Sequence, residues 1–502
     1  LVYDWLYSHW TPEERASIRE AVREKGFTPL LDAVRAGDAD TTWYTCNGMM
    51  VVNGPALMCA LLFAEEADTR DVYETSLRQL RRAVDSHCPD GGYAEGLLYW
   101  NYGVRHLLLA VEPLRRLAGI DLYREPFLHQ TGHYALHNIE PWLTDCANTA
   151  DSSHQTKLWP PVAALAAYHK RPEWQWLAQR LVRHDWGQDG EGLEYSLFYL
   201  LFYDPELPAA SPAEVERNYL FSGLQQLSWR SDWSEDAIHA VWLNGPANCS
   251  HNHLHLNSFT VSAFGERLLI ECGQFDYSNG RDYRAQSSGH NTLLADGEGQ
   301  VITTNTNIFC RRFRPGQWGT VYGEFQSLRE EAGSTIATGH AVNAYPGRLC
   351  AFDRTLAFVD RRFFFLHDHV ELEKEPQMCL TWLFHSGGAI EVEDGHAMFT
   401  SGDARLLILP VTDLPLFWEV RDDHSERVHP EIPVHYLLWN GQCEEKACDL
   451  YILLIPFRAG EQPAAVLERC EVTHTTPVYD PAYGIKPREE IEAVVNGMAF
   501  TV

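Results

Sequence analysis

The sequence predicts an α+β multidomain protein, with paired helices of an (α/α) toroid type followed by antiparallel β-sandwich sheets. Three observations predict it. Apolar residues recur at helical spacing through the N-terminal half. Short alternating segments bounded by Gly, Asp and Asn take over near residue 230. The 502 residues also exceed the ~250–300 at which one hydrophobic core stops growing. The expected parts are a helical domain over 1–230, an antiparallel β-sheet domain over 231–420 and a C-terminal β extension or subdomain over 421–502.

Taken in order, Thr11-Pro12-Glu13-Glu14 reads as a capping box with Pro at the first helical position, and Gly26 closes the pattern carried by Ile18, Ala21 and Val22. Further helices are predicted at about 54–66, 70–86, 97–118, 157–169 and 173–184; in the 70–86 stretch Leu77, Leu80 and Val84 share a face. A Pro- and Ala-rich stretch from Asp204-Pro205 to Pro212 precedes one more predicted helix at about 213–227. Beyond it strands are predicted at 237–243, 254–263, 266–272, 291–295, 334–342, 350–359, 362–371, 377–385, 389–393 and 404–410. Their short connections imply antiparallel pairing.

Sixty-nine Asp and Glu against 40 Lys and Arg give a net charge of −29, which argues against nucleic acid or an acidic membrane as partner. The same charge opposes a polyanionic substrate unless a cleft supplies a few Arg or His, so substrate affinity is expected to depend on salt. No run approaches the ~18 apolar residues of a membrane span. The 12 cysteines are scattered without metal-ribbon or redox spacing and read mostly as small buried apolar residues. The chain opens on Leu-Val-Tyr-Asp with no basic and apolar leader pattern, so the expectation is a cytoplasmic protein, or a secreted or periplasmic one whose leader has been removed.

The densest chemical signal is Ser250-His251-Asn252-His253-Leu254-His255-Leu256-Asn257-Ser258-Phe259. Histidines at alternate positions just before a strand share one face and project together, as ligands or as an acid/base. The plainer reading is a solvated loop. Glu271 ends a strand at Leu269-Ile270-Glu271-Cys272-Gly273, and His290 opens another at Ser287-Ser288-Gly289-His290-Asn291-Thr292. His255, Glu271 and His290 make a two-histidine, one-carboxylate set suited to a divalent metal, Zn²⁺ or Mn²⁺; otherwise Glu271 pairs with Arg267 or Arg281. A cupin is excluded, because its Glu falls a few residues after its His pair, where this chain has Phe259 and Thr260.

In the helical half, Cys46-Asn47-Gly48 precedes the Gly-rich turn and aromatic helix start that runs from Asp90-Gly91-Gly92-Tyr93 through Glu95 to Tyr99-Trp100-Asn101-Tyr102. Packing between helices accounts for any one of these aromatics alone. Asp151, in Asp151-Ser152-Ser153-His154, reads as a helix cap or as lining of the toroid mouth. His385, in Trp382-Leu383-Phe384-His385, reads as scaffold.

His253-x-His255-x-Asn257-Ser258-Phe259, then Leu268-Leu269-Ile270-Glu271-x-Gly273, then Tyr277, Tyr283 and His290-Asn291-Thr292 resemble, in order and spacing, the heparinase II/III-like polysaccharide lyase superfamily. The resemblance covers roughly residues 40–420. It implies an acidic polysaccharide or oligosaccharide as partner, a glycosaminoglycan or oligo-alginate, and cleavage by β-elimination. That chemistry needs the uronate carboxylate neutralised, a base at C5 and an acid at the leaving oxygen. Carried over by motif, Asn47 resembles the residue that neutralises the carboxylate, Tyr99 the general acid/base and His253 the second base. His255 and His290 resemble metal ligands. Tyr93 and Tyr102 are the alternative registers for Tyr99. Glu95, Trp100, Tyr283, Arg281 and Arg284 are the expected substrate contacts, the arginines through bidentate forks. Three departures stand out: Asn257 and Glu271 occupy positions where the family commonly has Asp, and Cys46-Asn47-Gly48 replaces its Asn-Asn-His. Two other readings remain: a glycoside hydrolase using two of Asp90, Glu95 and Asp151, and a glycan-binding protein with Trp43, Trp100 and Trp142 as stacking platforms.

Overall fold

The computed structural model describes residues 2–37, 46–64, 69–152, 159–185, 192–245, 251–273, 283–301, 322–331, 333–374, 377–393, 395–412, 414–422, 434–475, 490–495 and 498–501. Helices come first: α1 (Val2–Trp5), α2 (Pro12–Val22), α3 (Thr28–Ala36), α4 (Asn47–Leu62), α5 (Thr69–Ser86) and α6 (Gly96–Ala118). They are followed by α7 (Pro126–Gln130), α8 (Gly132–Asn138), α9 (Trp159–His169), α10 (Pro172–Asp185) and α11 (Gly192–Phe202).

The capping box of α2 is formed in both directions, Thr11 Oγ1 accepting from the Glu14 amide at 3.2 Å and Glu14 Oε2 from the Thr11 amide at 2.8 Å. Gly26 does not end that helix; it lies in a π-helical turn, Arg23–Phe27, that runs straight into α3. Helix α4 starts at Asn47, seven residues before the predicted start, and carries Pro55 inside it. Asn53, buried in the same helix, donates its side-chain amide to the Met49 carbonyl at 3.0 Å. Leu77, Leu80 and Val84 of α5 pack with Leu97, Trp100 and Val104 of α6 in one helical core.

The predicted helix at 213–227 is absent. After the short 3-10 turn Pro212–Glu214 the chain forms β1 (Asn218–Phe221) and β2 (Gln226–Arg230). The physical reason is alternation. Leu227 and Trp229 enter the β core, while Gln226, Ser228 and Arg230 turn to α8 and the residue after it: Gln226 Nε2 donates to Asn138 Oδ1 at 2.5 Å, Ser228 Oγ to the His137 carbonyl at 2.7 Å, and Arg230 to the Ile139 carbonyl. The strand keeps its period-two alternation, with the polar face buried against helix partners instead of turned to water. β-Structure thus begins at Asn218 rather than near 230.

With β3 (His239–Leu243), β4 (Ser258–Ala263) and β5 (Glu266–Leu269), these strands make a five-stranded antiparallel sheet in sequential order. Next in the chain are β6 (Leu293–Ala295), β7 (Glu324–Glu331), β8 (Ser334–His340), β9 (Leu349–Val359), β10 (Phe363–Leu372), β11 (Met378–Ser386), β12 (Ala389–Glu393), β13 (His396–Ser401) and β14 (Ala404–Val411). The last large strands are β15 (Leu416–Asp422), β16 (His435–Cys443) and β17 (Ala447–Arg458). An eight-stranded sheet runs β12-β13-β14-β17-β10-β9-β8-β7, and a four-stranded one β15-β16-β11-β6. Because β17 lies between β14 and β10, and β16 between β15 and β11, the two strands from His435 to Arg458 belong to the main sheets. Among the described residues past 458, the short helix α12 (Pro463–Leu467) and the three-stranded sheet of β18 (Cys470–Thr475), β19 (Glu490–Val495) and β20 (Met498–Thr501) lie outside these sheets.

Trp229, Trp242, Phe259, Phe358, Phe364 and Trp382 dominate the core of the β half. Among the described residues no disulfide joins cysteines, and no helix is long and apolar enough to cross a membrane.

Candidate active site and metal centre

The site forms at the seam between the helices and the five-stranded sheet. His251 to Asn257 do not extend a strand: strand β4 starts only at Ser258, and both His251 (φ 57°) and Asn257 (φ 60°) take left-handed conformations. Period two therefore does not explain the convergence of the histidines. Turns do, and they divide the three. His253 and His255 point the same way, with ring centroids 6.0 Å apart, whereas His251 faces the helical half.

Asp151 organises that division. Its Oδ1 accepts from His253 Nε2 at 2.7 Å and its Oδ2 from His251 Nδ1 at 3.0 Å, while its own amide donates to the His251 carbonyl at 3.0 Å. It is completely buried, and its side chain serves the two histidines rather than capping α9. His251 stacks on Tyr99, ring centroids 3.7 Å apart and planes 14° off parallel. Burial, together with the neighbouring His290 and His255, pushes His253 down to about 4 against the pull of Asp151, so its imidazole is neutral near pH 7.

On the helical side, Glu95 Oε2 accepts from the Asn47 amide at 2.7 Å, from Asn47 Nδ2 at 3.2 Å and from the Tyr93 hydroxyl at 3.2 Å. Glu95 is 1% exposed; it holds Asn47 in place, which replaces the expected contact with substrate. Gly96 opens α6 at φ 81°, and a Cβ there would meet Ser152 Oγ at 2.4 Å; only glycine lets Ser152 reach the Leu98 amide at 3.1 Å. Tyr93 is fully inside, and burial beside Glu95 raises its phenol well above the ordinary value. Tyr102 lies 40% exposed against His106. Of the three tyrosines, Tyr99 is the one whose ring stacks on a histidine of the loop.

Trp100 is a correction. It is fully buried in the helical core and donates its indole N–H to Thr131 Oγ1 at 2.7 Å, so it packs and offers no face to a sugar. The same burial removes it as a stacking platform. Asp90 ties the turn after β1, accepting from Ser222 Oγ and the Gly223 amide at 2.9 Å each. Arg284 is 5% exposed, in the 3-10 turn Tyr283–Ala285. Arg281, Tyr277, Trp43 and His154 lie outside the described residues, as does the Tyr283 side chain.

His255, Glu271 and His290 come together, joined by His253; one ligand atom from each lies within 4.8 Å of the others. Glu271 Oε2 accepts from His290 Nδ1 and lies 3.6 Å from His255 Nδ1, while Oε1 accepts from Ser258 Oγ at 2.5 Å. Burial opposes its charge, but His290 and His255 overcome that and hold the carboxyl well below the usual range. His290 Nε2 is buried with no hydrogen-bond partner among the described residues. The imidazoles of His255 and His290, the latter with its orphaned Nε2, and one ionised carboxylate fit a divalent cation, while His253 is engaged by Asp151. Arg267 pairs with Asp145 at 3.0 Å, not with Glu271. His385 is scaffold: it stacks on Tyr436 and approaches the Ser288 carbonyl at 3.0 Å.

Sequence reasoning missed the bridging role of Asp151, because its partners lie 100 and 102 residues away. Ser258 and Asn291 sat inside flagged motifs without a stated task. Ser258 anchors Glu271, and Asn291 Nδ2 donates to the Phe259 and Ile270 carbonyls at 2.7 and 3.0 Å. Asn148 reaches across from the helical half to the Glu271 carbonyl at 2.6 Å.

Comparison with known proteins gives a family and a fold. The family described as heparinase II/III-like, C-terminal, matches residues 222–500. No curated protein matches the sequence. The fold is similar to that of the heparan sulfate lyase HepC of Pedobacter heparinus (TM-score 0.66, 14% identity, covering 90% of this chain and 64% of that one). It is similar as well to a heparinase III (TM-score 0.68, 13% identity, 95% and 70%). This chain thus spans about two thirds of the length of those enzymes.

Proposed function

Because this chain belongs to the heparinase II/III-like family, we propose that it is a polysaccharide lyase that cleaves uronic-acid-containing glycans by β-elimination. Glycosaminoglycans are the preferred substrate class and alginate or another polyuronate the next. The observation that carries the reading is the Asp151 bridge. One carboxylate holds both His253 and His251, and His251 is stacked on Tyr99, so the proton-handling groups of the two halves meet at one place.

In this reading Asn47, oriented by Glu95, donates to the uronate carboxylate and makes the C5 proton easier to remove. His253, neutral and held by Asp151, accepts a proton; Tyr99 delivers one to the leaving oxygen. The carbon–oxygen bond breaks as the C4–C5 double bond forms, leaving an unsaturated sugar at the new non-reducing end. His255, Glu271 and His290 would hold the divalent cation, Zn²⁺ before Mn²⁺, which would supply fixed positive charge beside the loop that carries His253.

The test is ultraviolet absorbance of the protein incubated in turn with hyaluronan, chondroitin sulfate, heparan sulfate and alginate. A rise with one of them is the expected result, and Tyr99→Phe should reduce that rate by about 10²–10⁴-fold with the fold intact. New reducing ends without absorbance would instead indicate a hydrolase, and Tyr99→Phe at full activity would remove the tyrosine from its role.

A further inference from the structure

Beside the first ligand cluster lies a second of different composition. Cys46 Sγ, a Glu95 carboxylate oxygen and a ring nitrogen of His251 lie within 4.8 Å of one another. We propose that these three residues form a second metal site, for a borderline-soft cation such as Zn²⁺, next to Asn47.

The geometry suits that use. Glu95 divides its two oxygens: Oε2 is engaged by Asn47 and Tyr93, and Oε1 faces His251 Nε2 at 3.9 Å. That is too long for a hydrogen bond and close to the ~3.3–3.8 Å that separates neighbouring ligands on a tetrahedral zinc. Independently of the trio, Asp151 takes the N–H of His251 Nδ1, which leaves the Nε2 lone pair facing Glu95. A carboxylate behind a histidine is the outer-shell arrangement that fixes a ligand's tautomer and direction. Cys46 and Glu95 are 8% and 1% exposed, so these two ligands are held by packing, and His251 is held by Asp151 and the Tyr99 ring. On binding, the thiol would release its proton to solvent and coordinate as thiolate.

The consequence for turnover rests on the lyase reading; the binding does not. A buried Glu95 puts negative charge beside the amide proposed to receive a uronate carboxylate. A divalent cation on Oε1 leaves Oε2 with Asn47 and, with the Cys46 thiolate and Glu95 as its ligands, brings the local charge from −1 to zero, so it should remove a repulsion on the substrate anion.

The cluster at His253, His255, Glu271 and His290 contains no sulfur, which gives the second site its own signal. Cobalt(II) added to the metal-stripped protein should produce a near-ultraviolet thiolate-to-cobalt band. The band should vanish in Cys46→Ser and survive in Cys350→Ser, an exposed cysteine elsewhere. His251→Ala, which keeps the thiol, should weaken it and covers the case in which Cys46→Ser does not fold. No band in the parent protein, or an undiminished band in a folded Cys46→Ser or His251→Ala variant, would overturn the site. If the lyase reading also holds, metal should raise elimination several-fold in the parent and less in Cys46→Ser; an intact band with no such difference overturns the effect on turnover and leaves the site standing.

Discussion

Arg354, on β9 and 1% exposed, lies beneath the candidate ligands and touches none of them. Its guanidinium grips Asp368 through two hydrogen bonds of 2.7 and 2.6 Å and spends a third nitrogen on the carbonyls of Asn257 and Asn291, 2.7 Å each. Those two residues follow His255 and His290 closely, so one side chain sets the height of both ligand-bearing turns. Removing it would strand Asp368, which the Trp382 indole N–H also contacts at 2.9 Å. A buried charge left without its partner costs about 3–5 kcal/mol. Arg354→Met is therefore expected to lower unfolding free energy by about that amount in denaturant titration and to weaken metal uptake. A loss below about 1 kcal/mol would mean the pair is solvated and sets nothing. Nothing local in Arg354-Thr355-Leu356 marks this role: the sequence shows an alternating strand, and the partners come from the neighbouring strand β10 and from two distant turns.

At the scale of elements, close approach and strand alternation decide more than propensity. Helices α4 and α6 cross at Gly54, where an added Cβ would meet the His106 carbonyl oxygen at 2.4 Å. On an open helix Gly→Ala gains roughly 0.5–1 kcal/mol. Here backbone blocks the methyl, so Gly54→Ala should instead lose about 1–3 kcal/mol in thermal or chemical unfolding, and a gain would show that the helices can separate. The same sheet-and-helix logic explains what was legible. Helices with one apolar stripe, such as α5, and strands with short turns, such as β9 and β10, could be read from the chain. Strands β1 and β2 were not read, because the alternation from Gln226 to Arg230 is only five residues long and the helix partners of its polar face are distant in the chain. His255, Glu271 and His290 were found from their motifs, whereas Asp151, Glu95 and His251 gained their tasks through contacts that only the folded chain creates.

The pairing of β10 with β17 adds a pH dependence. Asp449 faces His367 Nε2 at 2.7 Å and His369 Nδ1 at 2.9 Å, with Glu371 3.4 Å from His369 Nε2. The Asp449 hydrogen bond raises His369 from 6.5 to about 9, and Asp449 is held well below its ordinary 3.8 although burial opposes it. A raised histidine stabilises fully below its unfolded value of 6.5 and loses that stabilisation as pH rises through about 9; a depressed carboxylate stabilises above 3.8 and loses it as pH falls. The window is therefore from about pH 4 to about pH 7, fading toward 9. Asp449→Asn should lower the unfolding midpoint at about pH 6 by the equivalent of ~1 kcal/mol or less, given its partly exposed partners. The difference should close by about pH 10; one that persists there would assign the effect to packing instead.

For the molecule as a whole, the site is a property of the seam. Asn148 and Asp151 arrive from the helical half, His253 and Glu271 from the sheet, and Gln226, Ser228 and Arg230 bind the halves through polar contacts. Around that seam lies a chain of net charge −29, which repels the polyanion proposed as its substrate. Two electrostatic effects then oppose each other. The long-range field slows approach and is screened once the Debye length shrinks from ~30 Å at about 0.01 M salt to ~10 Å at about 0.1 M. Local contacts between cations and carboxylates inside the cleft are weakened by the same salt, but less, because they are partly buried. With so large a surplus of acid the first effect should win at low salt, so kcat/KM for an anionic glycan should rise across that range before it falls at higher ionic strength. A monotonic fall from the lowest salt would show that a positive cleft steers the substrate in spite of the whole, and would shift attention to cationic side chains around the histidine loop.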